Sequence, residues 1–251
     1  MKRISALAVL LACGVSAAHA ASALSAKVRF TELAFSVSDL TPSDGVDPFF
    51  EILPSSQYQN STSIKRDVPH FSSSGSSTGF LTPLLWTRRL RPLTYTRSEV
   101  TSTSVETGVN GAIIGDYTVY TDIEVSSPRK GALIRLAPGT LLTFSGKAEL
   151  FATATDCGHC YARAALDLDF GYLGEENTAT KTLLTSQALP DQSFSAPWGL
   201  SYANTSSEDQ FLGLAIRAKA ELSRAVPEPT TWALALGGGL VALGFGRRRR
   251  A

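Results

Sequence analysis

The feature that most constrains this chain is an alternation of apolar and polar residues with period two, repeated in several runs, with almost no helical period. KVRFTELAFSVSDL (27–40) places Val28, Phe30, Leu33, Phe35 and Val37 on a strand-like face, with one slip near Glu32 that marks a bulge. DYTVYTDIEV (116–125), LLTFSGKAELFATA (141–154), YARAALDLDF (161–170) and EDQFLGLAIRAKAEL (208–222) alternate in the same way. RSEVTSTSVE (97–106) is polar and β-branched, as an exposed or edge strand would be. Turn chemistry separates the runs at Pro42-Ser43-Asp44-Gly45, Asn110-Gly111, Pro128 to Gly131, and Pro138-Gly139. Strands at this spacing without intervening helices predict an all-β fold, an antiparallel β-sandwich or jelly-roll-like domain.

Residues 54–98 fit that pattern less well. They open Ser-rich and turn apolar and basic at LTPLLWTRRLRPL. The stretch is expected to be a long surface excursion, with Trp86 tucking it back onto the sandwich. The competing functional reading makes Trp86 with Arg88, Arg89 and Arg91 a contact for a glycan or an anionic polymer.

The two ends are of a different kind. MKRISALAVLLACGVSAAHA carries a basic pair (Lys2, Arg3), an apolar stretch (Ile4 to Val15) and a small-x-small site at Ala18-His19-Ala20. That order predicts a signal peptide over 1–20, cleaved to leave a mature chain near Ala21. The other end, VPEPTTWALALGGGLVALGFGRRRRA, joins two prolines, an uncharged stretch from Trp232 to Gly246 and Arg247 to Arg250. The uncharged stretch is at the short end for a membrane-spanning helix, and its glycines weaken it. The arginines would hold the end on the cytoplasmic side, leaving residues 21–225 as one exported domain.

Charge must be read on that domain alone. Setting aside Lys2, Arg3 and Arg247 to Arg250 from 23 basic residues, and Glu228 from 22 acidic ones, leaves 17 against 21, a formal charge of −4. A mildly acidic domain argues against a nucleic-acid partner. Its length allows one sizeable core, and its Ser/Thr-rich, Lys-poor composition suits a β-rich exported protein.

Cys157 and Cys160 in TDCGHCYARAALDLDF invite a chemical reading, since Cys13 leaves with the signal peptide. A Cys-x-x-Cys serves as a redox motif, half a zinc site or a structural clip. The redox form needs a helix after the second cysteine, and here a strand pattern follows. A metal site lacks further ligands beyond His159 and the distant His70, so no metal is expected. In both flanking strands the apolar face is even-numbered. If the two form a hairpin, paired numbers sum to an even value and the loop holds three or five residues or a bulge. Residues i and i+3 of such a turn lie within disulfide reach, and a Cys157–Cys160 clip is the expectation for an exported chain.

Asp167 and Asp169 share one face of a strand, roughly 6.5 to 7 Å apart, a spacing that would suit paired acid-base chemistry. As the polar face of an amphipathic strand they are better explained as surface acids. Asp39, Asp44 and Asp47 lack the spacing of a calcium loop. No Gly-x-Ser-x-Gly, His-Glu-x-x-His, P-loop or dinucleotide fingerprint occurs, so neither a catalytic residue nor a cofactor is assigned.

The tail motif Val226-Pro227-Glu228-Pro229, with the apolar stretch and Arg247, Arg248, Arg249 and Arg250, resembles the PEP-CTERM sorting signal of Gram-negative bacteria. A sortase signal would need Leu-Pro-x-Thr-Gly ahead of the span, and a GPI signal would end apolar. A permanent tail anchor remains the rival. The resemblance covers the last 25 or so residues. It implies export, transient anchoring in the inner membrane, processing near Pro227-Glu228-Pro229 by a membrane exosortase, and delivery to the cell surface or extracellular matrix. The implied partners are signal peptidase, exosortase and an exopolysaccharide. The expected role is structural or adhesive. The alternative is a carbohydrate-active hydrolase or glycan-binding module, the latter marked by an exposed aromatic strip at Trp86, Trp198 or Tyr202.

Overall fold

The computed structural model describes residues 24–53, 59–66, 71–90, 93–112, 117–126, 134–155, 160–172, 175–185, 189 and 191–224. The described part is all strand and turn. In chain order the strands are β1 (Leu24–Asp39), β2 (Phe50–Ile52), β3 (Gln59–Arg66), β4 (Phe71–Thr78), β5 (Leu84–Leu90), β6 (Leu93–Thr101) and β7 (Ser104–Ala112). They continue as β8 (Tyr117–Ser126), β9 (Ile134–Leu136), β10 (Thr140–Ala154), β11 (Cys160–Tyr172), β12 (Glu175–Leu184), β13 (Asp191–Asn204) and β14 (Gln210–Arg224). Every pairing is antiparallel. One sheet has the order β13-β10-β1-β7-β6-β5, and the second β12-β11-β14-β8-β3-β4 with β9 and β2 beside β14.

The sheets pack face to face because the alternating residues of both turn inward. Phe30 of β1, Phe144 of β10 and Phe170 of β11 are almost fully buried in one shared core with Leu150, Leu168 and Ile216. At roughly 1.5–3 kcal/mol for each large apolar side chain, this burial is the main force holding the sheets together. The predicted signal peptide and membrane span lie outside the described residues. Among the described residues no helix is long and apolar enough to cross a membrane.

The slip near Glu32 is a bulge. β1 pairs with β10 as Thr31↔Lys147 and then Ala34↔Ser145, and Glu32 adopts a φ of 57°. Before the bulge even-numbered residues such as Val28 and Phe30 face the core, and after it Phe35 does. Gly146 lies opposite. A Cβ there would come within 2.7 Å of the Thr31 carbonyl oxygen, 2.8 Å of the Phe30 ring and 2.9 Å of Leu33.

Several expectations are corrected. The run 97–106 is not one edge strand but the β6–β7 hairpin, turning at Ser102 and Thr103. Asn110-Gly111 is no turn, because both residues lie inside β7. Residues 54–98 are not a surface excursion, since they supply β3, β4, β5 and the start of β6. Hydroxyl side chains make this possible by filling core positions while bonding to one another. Ser98 bonds Thr107 at 2.8 Å and Thr121 at 2.7 Å, joining β6, β7 and β8 across the interior. Thr96 donates to the Arg88 carbonyl at 3.3 Å. Buried hydroxyls satisfied in this way escape the desolvation penalty that would otherwise forbid them.

The hairpin assumed between 141–154 and 161–170 does not form either. β10 and β11 belong to different sheets, so the link between them crosses the sandwich. Both even-numbered faces point inward because each looks at the core from its own side. The parity rule for the intervening loop therefore has no force.

Replacing Gly146 by Ala is expected to cost about 1–3 kcal/mol through backbone shift at the bulge. Urea unfolding of the purified protein checks this, and an unchanged midpoint would contradict it.

Candidate functional site

The sandwich has two ends of different character. Leu24 pairs with Ala154 and Gly111, and Cys160 pairs with Arg224. Five residues connect Ala154 to Cys160, so the start of β1 and the end of β14 lie at one pole. The opposite pole holds the 40–49 turn, β2, β9 and the Pro138-Gly139 turn.

β14 governs how the chain leaves the fold. It pairs with β11 from Leu212 to Arg224, and with β8 from Ala215 to Arg224. Leu222 and Ser223 are still buried when the strand ends. Only Ala225 and Val226 separate Arg224 from Pro227, a reach of at most about 10 Å. Residues 225–250 match the PEP-CTERM protein-sorting motif. The chain is therefore an exported protein of the kind sorted by a membrane exosortase. No curated protein and no solved structure matches it.

The residues Val226, Pro227, Glu228, Pro229 and Arg247 to Arg250 lie outside the described residues, as do Ala18, Ala20, Cys157, His70 and His159. Cys160 opens β11 at 7% exposure and is in disulfide linkage.

The exposed aromatic strip that would mark the glycan-binding alternative, at Trp86, Trp198 or Tyr202, does not form. All three pack against the core from strands near the sheet edges. Trp86 of β5 lies over Gly75 of β4, where a Cβ would meet its ring at 2.7 Å, so it ties the edge of one sheet to the edge of the other. Exposed aromatics among the described residues occur instead at Phe49, just before β2, and at Tyr95, Phe151, Tyr172 and Phe211, one each on β6, β10, β11 and β14.

Of the carboxylates singled out from sequence, Asp169, Asp39 and Asp44 are engaged structurally. Asp169 accepts a hydrogen bond from Arg217, which also reaches Glu124 at 3.2 Å, a ladder across β11, β14 and β8. Asp39 accepts from the Thr41 amide at 2.7 Å, and Asp44 from the Thr41 hydroxyl at 2.5 Å and the Val46 amide at 2.8 Å. Those bonds hold the Asp44 carboxyl below its ordinary value. Among the described residues no cluster of His, Cys, Asp and Glu is arranged to hold a metal ion.

At the far pole a pocket of about 270 Å³ is lined by Leu33, Ala34, Phe35, Ile52, Phe80, Leu81, Ser102 and Phe144. Phe35 anchors it, with ring centroids 5.0 Å from Phe144 and 5.5 Å from Phe50. Its lining holds no ionisable group, so no acid-base chemistry originates there.

Another carboxylate with a shifted pKa lies elsewhere, on the outer face of β14. Glu221 is 8% exposed; it accepts from the Tyr161 hydroxyl at 2.6 Å and pairs with Lys219 at 2.9 Å. Burial alone would raise its pKa, but the bonds from Tyr161 and Lys219 outweigh that and leave it lowered from 4.5. A carboxyl lowered in the fold contributes stability that is complete above its unfolded value and fades as the pH falls through the folded one. Glu221→Gln is therefore expected to lose stability less steeply than the parent below about pH 4.5. Thermal melts across the acid range measure this, and identical slopes would contradict it.

Proposed function

We propose that the chain is a non-catalytic structural or adhesive protein of the cell surface or extracellular matrix. In this reading a signal peptide is removed after Ala20 and the span from Thr230 to Gly246 anchors the chain in the inner membrane. Exosortase then cuts near Pro227-Glu228-Pro229 and releases the sandwich. The observation that carries the reading is the sorting motif at residues 225–250, starting one residue after the last core strand ends. In this reading a processing enzyme meets a proline-bounded segment there, between the sandwich and a membrane.

The non-catalytic role is supported by the engagement of Asp169, Asp39 and Asp44 in ladders and turns, and by a pocket with no titratable lining. An exopolysaccharide is the partner that fits a matrix location. Cys157 and Cys160 form a short clip in this reading, at the pole from which the tail leaves. A clip closing so small a loop adds at most about 2 kcal/mol.

Replacing Pro227, Glu228 and Pro229 together by Ala tests the motif. The expected result is a correctly folded protein that accumulates in the membrane fraction with its C-terminus intact. Release into the medium at the parental level would overturn the reading.

A further inference from the structure

An open sheet ends in edge strands whose outward N–H and C=O groups can pair with a further strand. Among the described residues the two sheets end at β13 and β5 and at β12 and β4, with the short β2 beside β9. Four of these five edges carry a device against such pairing. β2 is three residues long. β13 holds Pro197, which cannot donate, and β12 holds Glu175, Glu176 and Lys181. These two edges are also tied to each other, since Asn177 donates to the Ser201 carbonyl at 3.2 Å and Gln192 donates to the Leu184 carbonyl. β5 carries Arg88 and Arg89, both exposed. β4 has none of these devices. From Ser72 to Thr78 it holds no charge, no proline and no large side chain. It pairs with β3 without a register shift from Arg66↔Phe71 to Gln59↔Thr78, so no bulge turns its other side away. It is also held in place from beneath. Trp86 of β5 packs on Gly75, where a Cβ would come within 2.7 Å of the ring, and the Ser77 hydroxyl donates to the Thr82 carbonyl at 3.3 Å.

We propose that β4 pairs with β4 of a second copy, antiparallel about a two-fold axis, so that the sheet ending at β4 runs on through two molecules. The inference goes beyond the sorting role and holds whether or not the tail has been removed. The edges themselves name the occupant. Like strands meeting antiparallel set serine opposite serine, whose hydroxyls bond across the pair, and a neutral edge has nothing to repel its own copy. The charges of β5 or β12 would find no counter-charge on β4. The pleat limits the register. Opposed residues point to the same face, and on β4 the exposed ones are Ser72, Ser74, Ser76 and Thr78, so opposed numbers sum to an even value. One residue of β4 therefore lies opposite its own copy. Because the other edges are guarded, the assembly closes at two and does not grow into a filament. The two-fold brings Arg88 and Arg89 of both copies to the same side of the pairing, so added salt is expected to strengthen it.

Sedimentation velocity and hydrogen exchange of the full chain in detergent micelles test this. Between about 1 and about 100 µM, the range suited to a small interface, the parent is expected to pass from monomer to dimer. Over the same range amide exchange in residues 72–78 is expected to slow several-fold, while exchange in β13 stays constant. Ser74→Lys, which puts a like charge on the pairing strand of both copies, is expected to raise the dimer dissociation constant by roughly tenfold. Ser195→Lys, on the guarded β13 edge, is expected to leave it unchanged. Thermal melts show that each variant keeps the sandwich, and if Ser74→Lys does not fold, the exchange of the parent decides. A parent that stays monomeric across the range would overturn the proposal. So would a dimer whose exchange in 72–78 ignores concentration, or one that Ser74→Lys leaves equally tight, since either assigns association to another surface, the tail included. Growth beyond the dimer would overturn the two-fold. None of these outcomes bears on sorting, which the replacement of Pro227, Glu228 and Pro229 tests separately.

Discussion

The structure depends on β14, which is hydrogen-bonded on both sides until its last residue. β11 runs along one edge, and β8 and β9 divide the other. Its inward side chains Leu212, Leu214, Ile216, Ala218, Ala220 and Leu222 meet the core against both sheets. This strand is clamped to Arg224, and the sorting motif begins at the next residue. Fold and function meet in the few residues between a buried strand end and a proline.

The sandwich is built from two kinds of interior. Around β1, β10, β11 and β14 the core is aromatic and aliphatic, with Phe30 and Phe144 in an edge-to-face contact at 5.9 Å. Around β6, β7 and β8 it includes hydroxyls at Thr94, Thr96, Ser98, Thr107 and Thr121 that are essentially fully buried. The first kind contributes transfer free energy, and the second survives because its groups bond to each other. Trp86 over Gly75 joins the sheet edges at the hydroxyl-rich side, where apolar contact is otherwise sparse.

These two interiors explain what the sequence made legible. Where apolar and polar residues alternate, the strands follow directly. β1 with its bulge, β8, β10, β11 and β14 lie where the pattern puts them. Where both faces of a strand are Ser and Thr, alternation has no contrast. The 54–98 stretch therefore looked like a loop, and the 97–106 run hid a hairpin turn at Ser102 and Thr103. Parity arguments between β10 and β11 failed for another reason, since inward-facing numbers are the same whether two strands pair or oppose each other across a core. Trp198 and Tyr202 were ambiguous because an inward aromatic at a sheet edge and an exposed one share the same period. The tail was legible throughout, because its prolines, apolar stretch and arginines are a local code that needs no tertiary context.

The central claim is that this sandwich is exported and then parted from its tail beside Pro227-Glu228-Pro229. Intact mass of the protein recovered from culture medium and from membranes tests it most directly. The account predicts an extracellular species that starts near Ala21 and ends between Pro227 and Thr230. A protein found only in membranes, with its mass extending through Arg250, would mean a permanent anchor and would contradict the account.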